Sequence, residues 1–435
     1  LAIMCNAFED SGTPNTTKLI AIHSTEIINV LNALSKFPKH VVDYKRIANL
    51  GLHEANAVDK GFMIHCNLIP DVNSHEFIYS GPHILNCNAL AKNPRKKYKS
   101  GNDYDCIDLM EIPDEFVQRV LFTRSIPIEQ FDGLQKGFSL GINSNGDEVF
   151  SNWMNGYKLA FREFVGASAE RTLTSAIIPP NTQHIGSIVS ILFEHSTEVV
   201  ELCGLTSSIC LDFFMKATGA SHVKLNKINN FPLGIDVKYK SALFARTLLL
   251  NCLTTAYTDL WQEMWNEDYK KETWSISGDN RLKPFNTLKQ QWSRDIPLRN
   301  YFERRMALVE IDVISAMALG LTLEDLEMIY TIQFPVLQQN EDDTWYDANG
   351  NIIFTCSKGL TGVGMSRQEW DTTKGDAIDS NTFAGPASGT VSYTIDPKKS
   401  ELYGNQTVQY TAPFNRQNRI EDYRRAWRHF EQIFK

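Results

Sequence analysis

The sequence predicts an α+β protein: a β-rich stretch, then a helical one, with a small β hairpin and a closing helix at the end. Three observations carry this. After Pro38, short apolar runs are punctuated every few residues by Gly, Pro and Asn, the pattern of strands and tight loops. From Lys238 onward, apolar residues recur at helical spacing over long stretches. There is no internal repeat.

At 435 residues the chain is long enough for two or three domains. Its changes of pattern divide it at about 1–130, 131–235 and 236–435. The first region opens with an amphipathic helix near Lys18–Lys36, where Ile20, Ile27, Leu31 and Leu34 share a face. Short segments between Gly51, Gly61, Pro70, Gly81, Pro82 and Pro94 follow. In the second region Phe138–Ile142, Ala176–Ile178 and Ile185–Phe193 read as strands. A helix over Glu198–Lys216 ends at Gly219, and a short strand His222–Leu225 leads to Phe231-Pro232-Leu233. The third region reads as a helix over Lys238–Trp265 and another over Leu298–Leu319 behind Pro297. A third helix, Leu323–Phe334, is opened by a Thr322-x-x-Asp325 capping box and stopped by Pro335. A hairpin turns at Asn349-Gly350, residues 371–405 read as a loop excursion, and Arg419–Phe434 is a basic amphipathic helix.

Composition narrows the function classes. With 43% hydrophobic and 22% charged residues, wholesale disorder is excluded. Lys+Arg 43 against Asp+Glu 51 gives −8, which excludes a histone-like binder while leaving room for a local basic patch. No apolar run approaches the ~18 residues of a membrane span. No secretory signal precedes the first helix, and a start at Leu1 rather than Met reads as a cut from something longer. Eight Cys without a C-x-x-C pair read as reduced thiols of a cytoplasmic protein.

Motifs of catalysis are missing. There is no G-x-x-x-x-G-K-[ST], no H-E-x-x-H and no G-x-S-x-G. Gly359-Leu360-Thr361-Gly362-Val363-Gly364 reads as a backbone turn needing positive φ rather than a phosphate cradle. His65, Cys66, His75, His83 and Cys87 lack the paired spacing of zinc ligands. Asp43-x-Lys45, Asp236-x-Lys238 and Asp268-x-Lys270 are fragments of a nuclease centre that chance supplies in a chain this charged. No catalytic residue and no metal ligand is assigned.

Two basic segments remain. Lys92, Arg95, Lys96, Lys97 and Lys99 lie within eight residues, with Pro94 and Tyr98 between them and no acid. They read equally as a solvated loop or as a proline-stiffened element tracking phosphates. The last helix carries Arg416, Arg419, Arg424, Arg425 and Arg428 beside Trp427 and Phe430, and reads best as docked by its aromatic edge.

Residues 198–233 are more specific. Leu202-Cys203-Gly204-Leu205-Thr206-Ser207-Ser208 is followed by Leu211-Asp212-Phe213-Phe214, a Gly219 exit, Ser221-His222-Val223-Lys224-Leu225-Asn226 and Asn230-Phe231-Pro232-Leu233. This resembles the end of the target-recognition domain of bacterial DNA methyltransferases and restriction specificity subunits, with Thr206-Ser207 in place of the usual Leu/Val-Asn. Other segments are similar to the carboxy-terminal half of large adenine-specific methyltransferases of restriction–modification and phage-defence systems. Among them are Ser80-Gly81-Pro82-His83, Tyr104-Asp105-Cys106-Ile107-Asp108-Leu109, Gln333-Phe334-Pro335-Val336-Leu337, Ser357-Lys358-Gly359-Leu360 and Asp422-Tyr423-x-x-Ala426-Trp427.

The family's F-x-G-x-G strand end and [DN]-P-P-[YF] motif are missing; Ile178-Pro179-Pro180-Asn181 keeps only the proline pair. The resemblance therefore implies a sequence-specific reader of double-stranded DNA without its engine. Residues 131–235 would be the target-recognition-like domain and 236–435 a helical scaffold against an upstream methyltransferase domain that binds S-adenosylmethionine. This chain would hold no cofactor itself. Ser221, His222, Lys224 and Asn226 are the expected base or phosphate contacts, or else polar groups that merely face solvent. A nuclease with dispersed carboxylates and a protein-interaction module of a defence complex stay open as alternatives.

Overall fold

The computed structural model describes residues 25–71, 74–166, 169–374 and 388–435. About 38% helix and 20% strand, in small sheets, make the fold mixed α+β as the sequence predicts. Among the described residues, twelve of the sixteen strands precede residue 194, and the helices over 40–190 are short.

A four-stranded antiparallel sheet organises the first half. Its order is Arg46–Asn49, Ile188–Phe193, Lys158–Arg162, Ser175–Ile178. Ile188–Phe193 is covered on both faces, which is why its sequence is a continuous apolar run rather than an alternating one. Arg46 pairs with Phe193 and Ser190 with Ala160. Residues from the first and second stretches of the chain thus share one sheet. The other strands form two-stranded ribbons, including the exposed hairpin Lys136–Ile142 with Glu148–Asn152 and the parallel pair Phe77–Tyr79 with Thr182–His184.

The opening amphipathic helix is described over Thr25–Ser35, where Ile27, Val30, Leu31 and Leu34 are buried; the expected start at Lys18 and its Ile20 lie outside the described residues. These side chains enter a core that continues through the sheet to Phe434, so all three stretches of the chain meet in one apolar interior.

Several elements differ from the sequence reading, each for a local reason. The helix expected over Glu198–Lys216 is two, Ser196–Ser207 and Ile209–Ala217, interrupted at Ser208. Asp312 Oδ1 accepts the Ile209 amide at 2.8 Å and the Arg171 guanidinium donates to the Ser207 carbonyl, so tertiary partners satisfy the break. Residues His222–Leu225 are not a strand: His222 makes a single bridge to Phe164, and Leu225–Ile228 is a helical turn.

The long helix ends at Asn251 instead of Trp265. Its freed carbonyls are taken by other side chains, Cys252 by the Trp292 indole and Leu250 and Leu253 by Arg304 and Arg299. A short helix, Thr258–Glu263, follows, and the helix expected over Leu298–Leu319 begins at Tyr301, capped by Asn300 and Glu303. The Thr322–Asp325 capping box forms as expected, but Pro335 opens a further helix, Pro335–Asp342, because proline is well suited to a first helical position. The Asn349-Gly350 hairpin forms between Trp345–Tyr346 and Ile352–Phe354. Within the stretch read as a loop, Thr390–Thr394 is a strand paired with Thr407–Thr411; residues 375–387 lie outside the described ones. No helix among the described residues is long and apolar enough to cross a membrane.

Candidate nucleic-acid interface

The basic segment is only partly a free loop. Lys92–Pro94 is a short strand paired with Tyr104–Cys106, and Arg95 is a fastening. Arg95 Nε meets Asp105 Oδ1 at 2.8 Å, while its terminal nitrogens donate to the carbonyls of Lys399, at 2.6 Å, and Lys398. Lys96, Lys97 and Lys99 are exposed, and none of their ammonium groups joins an ion pair among the described residues. Their backbone is held instead, at Lys96 by Glu401 and at Lys99 by Asp103. Tyr98 sits edge-on to Tyr104 and stays partly exposed.

Arg95 thereby joins two lysine-bearing segments about three hundred residues apart. Lys398 is exposed, and the Arg95 bond to its carbonyl places its backbone beside the segment of Lys96, Lys97 and Lys99. The sequence reading missed Lys398 because it lies in the stretch taken as an excursion. The only local signal was the Lys398-Lys399 doublet.

The second expected group lies on a different support. Ser221 accepts the Val165 amide at its carbonyl, and its hydroxyl lies 2.8 Å from His222 Nδ1. The His222 ring packs on Phe164, which is 64% exposed. Lys224 caps the turn Leu225–Ile228, and Asn226 lies on it; both side chains are exposed. Among the described residues this group shares no hydrogen-bonding partner with the basic segment. The two sets are separate surface features.

Behind the Arg95–Asp105 fastening lies a cleft of about 610 Å³. It is lined by Asp108, Tyr301, Tyr403 and Tyr410 and by the glycine turn at Gly362 and Gly364. Both glycines have positive φ, +91° and +68°, and a side chain at Gly364 would strike the Ile353 carbonyl, so this cluster is a turn that lets backbones approach. The Asp108 amide donates to Tyr403 Oη at 3.0 Å, and Asp108 Oδ1 accepts the Met110 amide at 2.9 Å. Burial pushes the Asp108 carboxyl up, with Glu111 adding to the effect. Burial also raises Tyr301, whose neighbours Asp108, Cys106, Tyr403 and Tyr410 act in the same direction.

The C-terminal arginines are largely committed to the fold. Arg419 is buried against Asp312 and Glu341, Arg424 pairs with Glu327 and Arg425 with Asp422. The nuclease-like fragments are also structural. Asp43 accepts the His40 amide, Asp236 caps Lys238 and Asp268 pairs with Lys271. Ile178–Asn181 is a turn in which Asn181 has φ +61° and donates its amide to the Met154 carbonyl. Among the described residues no three His, Cys, Asp or Glu side chains gather as a metal-holding group. No family model matches the chain, and no curated protein matches it.

Proposed function

We propose that this chain binds double-stranded DNA and reads its sequence, as the non-catalytic recognition part of an adenine-specific methyltransferase or restriction–modification protein. The observation that supports it best is the convergence of Lys96, Lys97, Lys99 and Lys398 on one exposed surface, joined by Arg95. Unpaired ammonium groups held on a fixed backbone are what phosphate contact uses, since phosphates need charge at the right place more than directional bonding. The resemblance of residues 198–233 to target-recognition domains supplies the sequence-reading half of the proposal. On this reading S-adenosylmethionine binds in a separate catalytic domain, because residues 1–435 carry neither of the two motifs that hold it and the adenine. Ser221, His222, Lys224 and Asn226 are the candidates for base contact, and the lysine surface for backbone contact.

The test is a salt titration on one duplex, with wild type and a Lys96→Ala, Lys97→Ala, Lys398→Ala variant. Each phosphate neutralised contributes about −0.9 to the slope of log affinity against log salt. The triple variant is expected to lose roughly two to three units of slope and to weaken on all sequences alike. Arg95 is left intact, because its removal would unfasten the Lys398 segment from the strand. Duplex binding that is absent, or independent of salt, would overturn the proposal.

A further inference from the structure

We propose that Cys87 and Cys203 form a buried dithiol that hydrogen peroxide converts to a disulfide, with Cys87 as the attacking sulfur. This modification site is independent of the DNA-binding reading above.

The fold brings the pair together. Their sulfurs lie 3.9 Å apart, although the residues are 116 positions apart in the chain, and both side chains are fully buried. Cys203 stands on the helix Ser196–Ser207, a regular element of the main core. Cys87 stands in the turn that follows Gly81–His83, where its amide donates to the Ser175 carbonyl at 2.8 Å. Its φ is +51°, a left-handed backbone that residues other than glycine adopt uncommonly. Such a conformation persists where the surroundings hold it, and here it accompanies a thiol set against a second thiol.

The surroundings are polar for so deep a position. Ser207 Oγ lies 2.9 Å from Cys87 Sγ, and Asn251 Nδ2 donates to Cys203 Sγ at 3.5 Å. The Arg304 guanidinium donates to the carbonyls of Cys87, Leu250 and Leu298, which leaves its positive charge beside the thiols. Burial works against a thiolate at Cys87, but hydrogen bonds with Cys203 and Ser207 and the charge of Arg304 outweigh it and lower its pKa. Burial and the neighbouring Cys87 push Cys203 up, so that sulfur keeps its proton. The thiolate is the nucleophile in thiol oxidation, so the two sulfurs have different parts. Cys66, Cys106 and Cys356 are partly exposed, but each lies against a backbone carbonyl instead of a second thiol, and burial raises all three.

The chemistry balances with peroxide alone. Cys87 Sγ attacks one peroxide oxygen, the O–O bond breaks, and hydroxide leaves as water with the proton that Cys87 gave up. Cys203 Sγ then attacks the Cys87 sulfur. The S–S bond forms, the S–O bond breaks, and the second oxygen leaves as water with the Cys203 proton. Two thiols are oxidised by two electrons, and one peroxide is reduced to two waters. The sulfurs must close from 3.9 Å to about 2.05 Å. Cys87 lies in a turn rather than a helix or strand, so it is the side that moves. Peroxide is little larger than water, and local opening of that turn admits it.

The experiment treats the full chain with hydrogen peroxide in native buffer and in urea. Remaining thiols are alkylated under denaturing conditions, and the peptides are mapped by mass spectrometry. In native buffer two of the eight thiols are expected to be lost, as a Cys87–Cys203 link that reductant reverses. In urea the link should form at least about tenfold more slowly and among other pairings, because proximity is then gone. Cys203→Ser should leave Cys87 as a sulfenic acid captured by dimedone, and Cys87→Ser should leave Cys203 reduced. Eight alkylated thiols after native treatment, links between other cysteines, or an equal rate in urea each overturn the site. Oxidation of Cys203 at the wild-type rate in Cys87→Ser overturns the assignment of the attacking sulfur. Should a variant fail to fold, the map of the wild-type chain decides the site by itself.

Discussion

The β-rich and helical halves of this protein solve the same problem differently. Both bury titratable side chains. Around the sheet, Lys158, His83 and His184 are fully buried, and none hydrogen-bonds a carboxylate. In the helical half three buried guanidiniums meet acids from other segments, whereas those of Arg299 and Arg304 donate to backbone carbonyls. Arg246 binds Glu310 and Glu272, Arg305 binds Glu341 and Asp422, and Arg419 binds Asp312 and Glu341. Burial disfavours a charge, so an unpaired group is pushed toward neutrality while a paired one keeps its charge. His83 and His184 fall to about 4 through burial. Burial also works against the Glu341 carboxylate, but Arg305 and Arg419 outweigh it and hold its pKa at about 2. One half is therefore sensitive to pH near neutrality, and the other is cross-linked by charge.

The largest effect expected of a single substitution comes from breaking the cross-link. Arg419→Met removes the common partner of Asp312 and Glu341; Glu341 keeps Arg305, while the Asp312 carboxylate stays buried without a guanidinium. Breaking a buried pair from one side costs ~3–5 kcal/mol. Arg424→Met, which removes a mostly exposed pair with Glu327, should cost under ~1 kcal/mol. Urea unfolding of the two variants side by side checks this. Similar small losses in both would mean that the helical half does not depend on its buried charges.

Acid should act through the sheet half. The Ser80 amide can only donate, so His83 Nδ1 must accept it, and Nε2 carries the proton given to the Arg119 carbonyl. A second proton on this ring would face the Ser80 N–H. The unfolded chain takes up protons on both imidazoles near pH 6.5, the folded chain only near pH 4. Stability is thus complete above 6.5 and falls as pH drops through that window, by on the order of 3 kcal/mol per histidine. Glu341 remains ionised throughout, while burial raises the Asp312 carboxyl of the same network, which acts in the opposite sense. The histidine contribution is therefore the difference between wild type and a variant without the two rings. Unfolding free energies at pH 7, 5.5 and 4 should differ in slope between wild type and a His83→Gln, His184→Gln variant. Equal slopes would show that these rings are not held neutral.

This contrast was only partly legible in the sequence. Strand runs, the Thr322 capping box and the Asn349-Gly350 turn depend on neighbours in the chain, and they appear where local chemistry puts them. The helix breaks at Ser208 and Cys252 depend on Asp312, Arg171 and Trp292, which lie far away in sequence, and no local pattern announces them. The lysine surface was half legible: Lys96, Lys97 and Lys99 stand together in the chain, whereas Lys398 reaches them only through the Arg95 fastening. The cleft is assembled from four distant stretches, and its tyrosines carry no spacing that could have joined them. Arg419 and Arg424 were read as part of a basic helix face because their acids, Asp312, Glu341 and Glu327, lie on other helices.

The smallest effect isolates a single group in the sheet half. Lys158 is completely buried; its ammonium lies 3.3 Å from the Met154 carbonyl, 3.2 Å from the Thr182 carbonyl and 4.4 Å from the centre of the Trp153 ring. Burial lowers its pKa from 10.5 to about 7, with Asp132 opposing weakly. Below pH 7 the lysine is charged in both states, and folding bears the full cost of burying it. Above pH 7 the folded lysine is neutral while the unfolded one still holds its proton, so stability rises with pH. The rise amounts to at most about 1.4 kcal/mol per pH unit. Cys210 and Cys252, pushed up by burial, act in the opposite direction once unfolded thiols ionise, so the clean window is roughly pH 7 to 8.5. Lys158→Met removes the titration and should flatten the profile there by about one proton, whatever it does to absolute stability. An identical slope in wild type and variant would show that Lys158 keeps its charge without an acid, and the contrast between the two halves would then rest on the histidines alone.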